Sequence, residues 1–157
     1  MKKGILITLI FILMLTTIVN AKSVSYALRP NFGYRGLDGD VDQLVAGSSL
    51  DVIFTQVADG YLAFTPGVEL SFGDDFTVFN VNLPIAFRYP MAGITPRAHM
   101  GLAVAYLKHN EHSDTDPEFL LGIGADFRIS RKLYIGPQIE TMSFDTVDAE
   151  VVATFYM

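Results

Sequence analysis

The sequence has no cysteine, few basic residues and, after residue 21, no apolar run long enough for a spanning helix. The missing cysteine excludes disulfide staples and a lipid-modified N-terminal Cys. Lys and Arg number 11 against 17 Asp and Glu, a formal net charge of −6. Two of those cations, Lys2 and Lys3, stand before an uncharged run from Gly4 to Ile18 that ends in the small-residue segment Val19-Asn20-Ala21. This arrangement reads as a cleaved secretory signal over residues 1–21, its apolar run falling short of the ~20 residues a spanning helix needs. Without it the chain carries 9 basic against 17 acidic residues, net −8, which excludes nucleic acid as a partner. Residues 22–157 contain no Ser- or Pro-rich linker and no charge block, so they form one domain.

What is present is alternation. Apolar residues take every second position, interrupted by Gly, Asp and Asn clusters. Eight strands are expected, over 23–35, 43–56, 61–73, 76–90, 94–108, 118–130, 132–144 and 149–157, with no room left for helices. The connections alternate too. Val57–Gly60, Pro90–Gly93 and Ser130–Lys132 are short and turn-like. Gly36–Asp42, Gly73–Asp75, His109–Pro117 and Asp145–Asp148 hold ten acidic residues and fall together at the opposite end.

One strand face collects residues such as Tyr26, Leu28, Phe32, Leu50, Val52, Phe64, Val68, Phe79, Leu83, Met100, Leu102, Ile123, Phe127, Ile135, Val151 and Phe155, and no charge. The other holds Arg29, Asp51, Glu69, Arg88, Arg97, Glu118, Asp126, Arg128, Glu140 and Glu150 among Gly and Ala. A barrel could be drawn with either face inside. Volume decides: an eight-stranded lumen is just wide enough for small and a few charged side chains, and the apolar set would overfill it. The apolar face therefore points to lipid, with rings near both ends and aliphatics between, as the two interfaces and the hydrocarbon centre require. The expected fold is all-β, an eight-stranded antiparallel up-and-down transmembrane β-barrel.

The stretch Asn82-Leu83-Pro84-Ile85-Ala86-Phe87-Arg88-Tyr89, then Ile94-Thr95-Pro96 leading to Gly101 and Tyr106, then Gly122-Ile123-Gly124-Ala125-Asp126-Phe127, resembles the small eight-stranded outer-membrane β-barrels of Gram-negative bacteria, the OmpA/OmpX-like class. The resemblance covers all of residues 22–157. It implies an outer-membrane location and a monomer. It also implies outer-membrane lipid and lipopolysaccharide, the barrel-assembly machinery and periplasmic chaperones as partners. Family members end in an alternating strand that the assembly machinery reads. Here Val151, Ala153, Phe155 and Met157 take that place, with Met where the family tends to have an aromatic. Pro66, Pro84 and Pro137 each remove a ladder donor from a strand.

Arg29, Glu69, Arg88, Arg97, Asp126, Arg128 and Glu140 come from different strands and are expected to meet as an ion-pair network across the lumen, static or switchable, because an unpaired buried charge costs several kcal/mol. Asp38-Gly39-Asp40-Val41-Asp42 opens with calcium-loop spacing, but Gln43 and Ser49 replace the Gly and Glu such a loop needs. His109, His112, Ser113 and Asp114 are hydrolase residue types, yet neighbours in one loop seldom orient one another as a triad does. His99 faces the lumen by parity, as a hydrogen-bonded core residue. No cofactor and no catalytic site are expected. The reading is a non-enzymatic outer-membrane barrel with a structural or surface-interaction role and at most narrow, porin-like passage of small solutes. The alternatives are a lipid A acyl hydrolase or acyltransferase, and a soluble secreted barrel.

Overall fold

The computed structural model describes residues 25–37, 41–73, 77–109, 112–143 and 146–157. The export segment at 1–21 lies outside the described residues, as does most of the Asp38–Asp42 stretch. Nine antiparallel strands are formed: β1 (Ser25–Leu37), β2 (Val41–Val57), β3 (Gly60–Phe64), β4 (Gly67–Phe72), β5 (Thr77–Arg88), β6 (Ile94–His109), β7 (His112–Arg128), β8 (Leu133–Met142) and β9 (Thr146–Tyr156). β3 and β4 are two halves of one stave, parted at Thr65-Pro66, and both pair with β2 and β5. β9 pairs with β8 and with β1, so the sheet closes on itself as an eight-staved barrel. Closure satisfies the backbone without an edge, which the lipid interior demands.

Four prolines fall beside an interruption of a ladder, whereas Pro96 and Pro117 lie within the continuous β6–β7 pairing. Pro66 sits in the β3/β4 break, and Pro84 lies beside it on β5, its carbonyl accepting from Thr65 N at 2.9 Å. Pro137 lies in the gap of the β7–β8 ladder between the pairs Gly124↔Gln138 and Phe127↔Ile135. Pro30 lies in the β1–β9 gap between Leu28↔Phe155 and Asn31↔Val152. Gly136, next to Pro137, packs so near the β7 backbone that a Cβ there would strike the Ala125 carbonyl.

Alternation holds almost throughout. Phe32, Met100, Leu102, Ile123, Ile139 and Val151 stand on the outside, Ile123 61 % exposed. Val52 and Phe64, paired across β2 and β3, keep the outward parity of Tyr26 and Leu50 but are only 8 % and 9 % exposed. The inside holds the core. Ala103, Leu120 and Met142 form an apolar group toward the end opposite the short turns.

Three expected connections are in part strand, Gly36–Asp42 among them, since Gly36 pairs with Asp42 and Leu37 with Val41. β6 and β7 stay paired to His109↔His112, so His109–Pro117 is a hairpin extension rather than a loop, and Asp145–Asp148 gives way to β9 from Thr146. Local polarity suggested loops, but inter-strand bonding continues above the apolar band.

Arginine in place of Leu102 or Ile123 is expected to cost ~2–4 kcal/mol, since each side chain faces the hydrocarbon midplane. Urea unfolding in lipid vesicles measures it, and parental stability for Leu102→Arg would reverse the two faces.

Candidate functional site

The polar side chains that parity sends inward meet across the bore in tiers. At the end of the short turns, the hydroxyls of Tyr61 and Tyr156 are 2.7 Å apart. They come from β3 and β9, which are not neighbours, so the contact spans the lumen. Tyr134 stacks edge-on against Tyr156 with ring centroids 5.2 Å apart.

Above this lies a tier of three guanidiniums and two carboxylates. Arg88, fully buried, donates to Asp126 Oδ2 at 2.9 Å and pairs with Asp51. Arg29 stands 3.6 Å from Asp51 and 3.8 Å from Asp126, and Arg97 is 3.9 Å from Asp126. Thr154 donates its hydroxyl to Asp126 Oδ2 at 3.3 Å. Asp126 thus serves all three arginines. Charges this deep persist because they are paired.

The next tier is rich in carboxylates. Arg35 clasps Asp148 through two bonds of 2.7 and 2.5 Å and reaches Glu69 at 3.4 Å. Asn31 donates to Glu69 at 3.1 Å and to Glu150 at 2.9 Å, while Gln138 donates to Glu140 and Glu150 at 3.1 Å each. His99 Nε2 and Glu140 Oε2 are 2.7 Å apart. A cavity of about 40 Å³ opens between the two tiers, walled by Arg29 and Arg97 on one side and by Glu69 and Glu140 on the other.

Of the expected network, Arg29, Arg88, Arg97 and Asp126 come together, and Glu69 and Glu140 join a separate tier. Arg128 does not belong. It lies exposed at the turn end, its Nε donating to the Ser130 carbonyl at 3.3 Å, because β7 stops there and parity no longer implies a lumen. Asp148 was missed because β9 begins at Thr146, and Arg35, the last residue of the expected first strand, was left out of the inward set although its parity with Arg29 places it there. Counting every second residue from Arg29 to Arg35, and back from Glu150 to Asp148, would have found them. The side chains of His109, His112, Ser113 and Asp114 lie outside the described residues. Val151, Phe155 and Met157 face outward along the last strand.

No family model matches the chain, and no curated protein does. Solved structures do. The N-terminal β-barrel domain of OprF from Pseudomonas aeruginosa aligns with a TM-score of 0.61 at 13 % identity, over 86 % of this chain and 100 % of that one. This is the fold of the small outer-membrane β-barrels. Ail, the attachment invasion locus protein of Yersinia pestis, aligns with a TM-score of 0.54 at 11 % identity over 85 % and 96 %. The outer membrane enzyme PagL aligns at 0.56 and 14 % over 82 % and 98 %. The fold is therefore shared by proteins of different activity, and function has to be argued from this chain's own residues.

Asparagine in place of Asp126 removes the charge three arginines share. Breaking a buried pair in this way is expected to cost about 3–5 kcal/mol. Heat-modifiable gel migration and urea unfolding in vesicles report it, and an unchanged midpoint would show that the tier does not depend on Asp126.

Proposed function

We propose that this chain is an integral outer-membrane protein, exported with residues 1–21 removed, which acts at the cell surface as a structural or interaction element and neither catalyses nor forms an open pore. The observation that carries the reading is the combination of faces. An uncharged apolar exterior suits lipid, and a lumen filled by charged and polar side chains, bridged by Tyr61–Tyr156 at one end and holding Leu120 and Met142 toward the other, suits a plugged barrel. Its partners are outer-membrane lipid and lipopolysaccharide outside, and the assembly machinery that meets the β9 residues Val151, Ala153 and Phe155 during insertion. The acidic end faces outward and the short turns face the periplasm.

PagL shows that an enzyme can use this fold. Against an acyl hydrolase here, the outward residues of the apolar band include no His, Asp or Glu among the described residues. Against an acyltransferase with a chain held in the bore, the lumen is charged rather than apolar.

The mature chain should fractionate with outer membranes and show heat-modifiable migration. Trypsin should leave the Arg131-Lys132 turn intact in whole cells and cut it once the periplasm is opened. In planar bilayers the parent should conduct little, and Asp126→Asn should raise conductance or destabilise the barrel. Recovery in the soluble periplasmic fraction would remove the reading, and a large steady conductance unaffected by Asp126→Asn would remove the plug.

A further inference from the structure

The buried charges of the lumen do not balance. Among the described residues, the buried Asp51, Glu69, Asp126, Glu140, Asp148 and Glu150 are opposed by Arg29, Arg35, Arg88 and Arg97, leaving a deficit of two positive charges when His99 is neutral. The imbalance is also sorted along the bore. The tier near the turns holds three arginines and two aspartates, whereas the outer tier sets four carboxylates against Arg35 alone. In a bore this dry, such a surplus demands a compensating charge.

We propose that the outer tier binds one hard divalent cation between Glu69, Glu140 and Asp148. One carboxylate oxygen from each of these residues lies within 4.8 Å of the others. Oxygens about 2.4 Å from a shared calcium ion can be no more than about twice that distance apart, so the three are already spaced as ligands. A second feature points to a ligand independently. Glu140, 4 % exposed, has Oε2 occupied by His99 and Gln138 while its Oε1 has no partner. Asn82 Oδ1, on a side chain 6 % exposed, is likewise unpartnered, and both residues wall the cavity of about 40 Å³. That space, large enough for an ion or a water since a single water needs roughly 15 Å³, reaches Glu69 and Glu140, while Asp148 stands outside its lining in the grip of Arg35 and would complete the site by turning toward it.

The surroundings suit the role. His99 and Gln138 orient Glu140, and Asn31 orients Glu69, as outer partners orient metal ligands. Arg35 stays on Asp148 and supplies one of the charges the tier needs. The cation supplies the two that the lumen lacks. All-oxygen donors favour calcium over softer metals.

The test uses the full mature chain, refolded from urea into lipopolysaccharide-free vesicles with calcium chloride or with EDTA, then desalted. Equilibrium dialysis against calcium should give one ion per barrel in the parent. Glu140→Gln and Glu69→Gln should each weaken binding at least tenfold. The triple variant Asp38→Asn, Asp40→Asn, Asp42→Asn, which removes the calcium-like stretch of the acidic end, should keep the ion. Heat-modifiable migration identifies which variants fold. If neither lumenal variant folds, retention by the triple variant still supports a lumenal ion. A parent that binds no calcium overturns the proposal, its acids then being neutralised by protons. Loss in the triple variant with retention in Glu140→Gln overturns it as well, by placing the ion in the acidic end.

Discussion

Everything in this molecule depends on a bore of fixed width. Eight staves leave an interior that side chains nearly fill, so a charge sent inward must find its counter-charge on a facing stave rather than in bulk water. Arg88 meets Asp51 and Asp126 on this account, and Arg35 clasps Asp148. The same width excludes the large apolar residues, which then have only lipid to face. One geometric limit thus sets both the apolar exterior and the tiered interior.

The pairing is also selective about position. Partners such as Arg29 and Asp126, or His99 and Glu140, lie on staves that share no ladder, and each link braces the barrel across its bore. Where the backbone ladder is interrupted, at Thr65-Pro66 and beside Pro137, the strands that flank the gap carry lumenal groups, Glu69 on β4 and Gln138 on β8.

The period of two made the fold and the two faces legible in the sequence, because in a barrel every residue's direction follows from its parity. Parity carried Arg29, Arg88, Arg97, Asp126, Glu69 and Glu140 to the lumen. It failed where strand ends were misjudged. Arg35, Asp148 and Arg128 all lie within two residues or so of a boundary set by long-range pairing that local polarity does not encode. Which acid meets which arginine was not legible either, since that depends on the stagger between staves far apart in the chain.

The closing pair of staves joins the first strand to the last, with Gly33 set against Glu150 and Leu37 against Thr146. Contacts of such long sequence separation form late, after the local hairpins β1–β2 and β6–β7. Arg29–Asp126, Arg35–Asp148 and Tyr61–Tyr156 all join residues nearly a hundred or more positions apart, so none can exist in an open sheet. The lumenal charges therefore keep their hydration through most of folding and shed it in a single final step. Contacts that form only on closure are of the kind that slow unfolding rather than speed assembly.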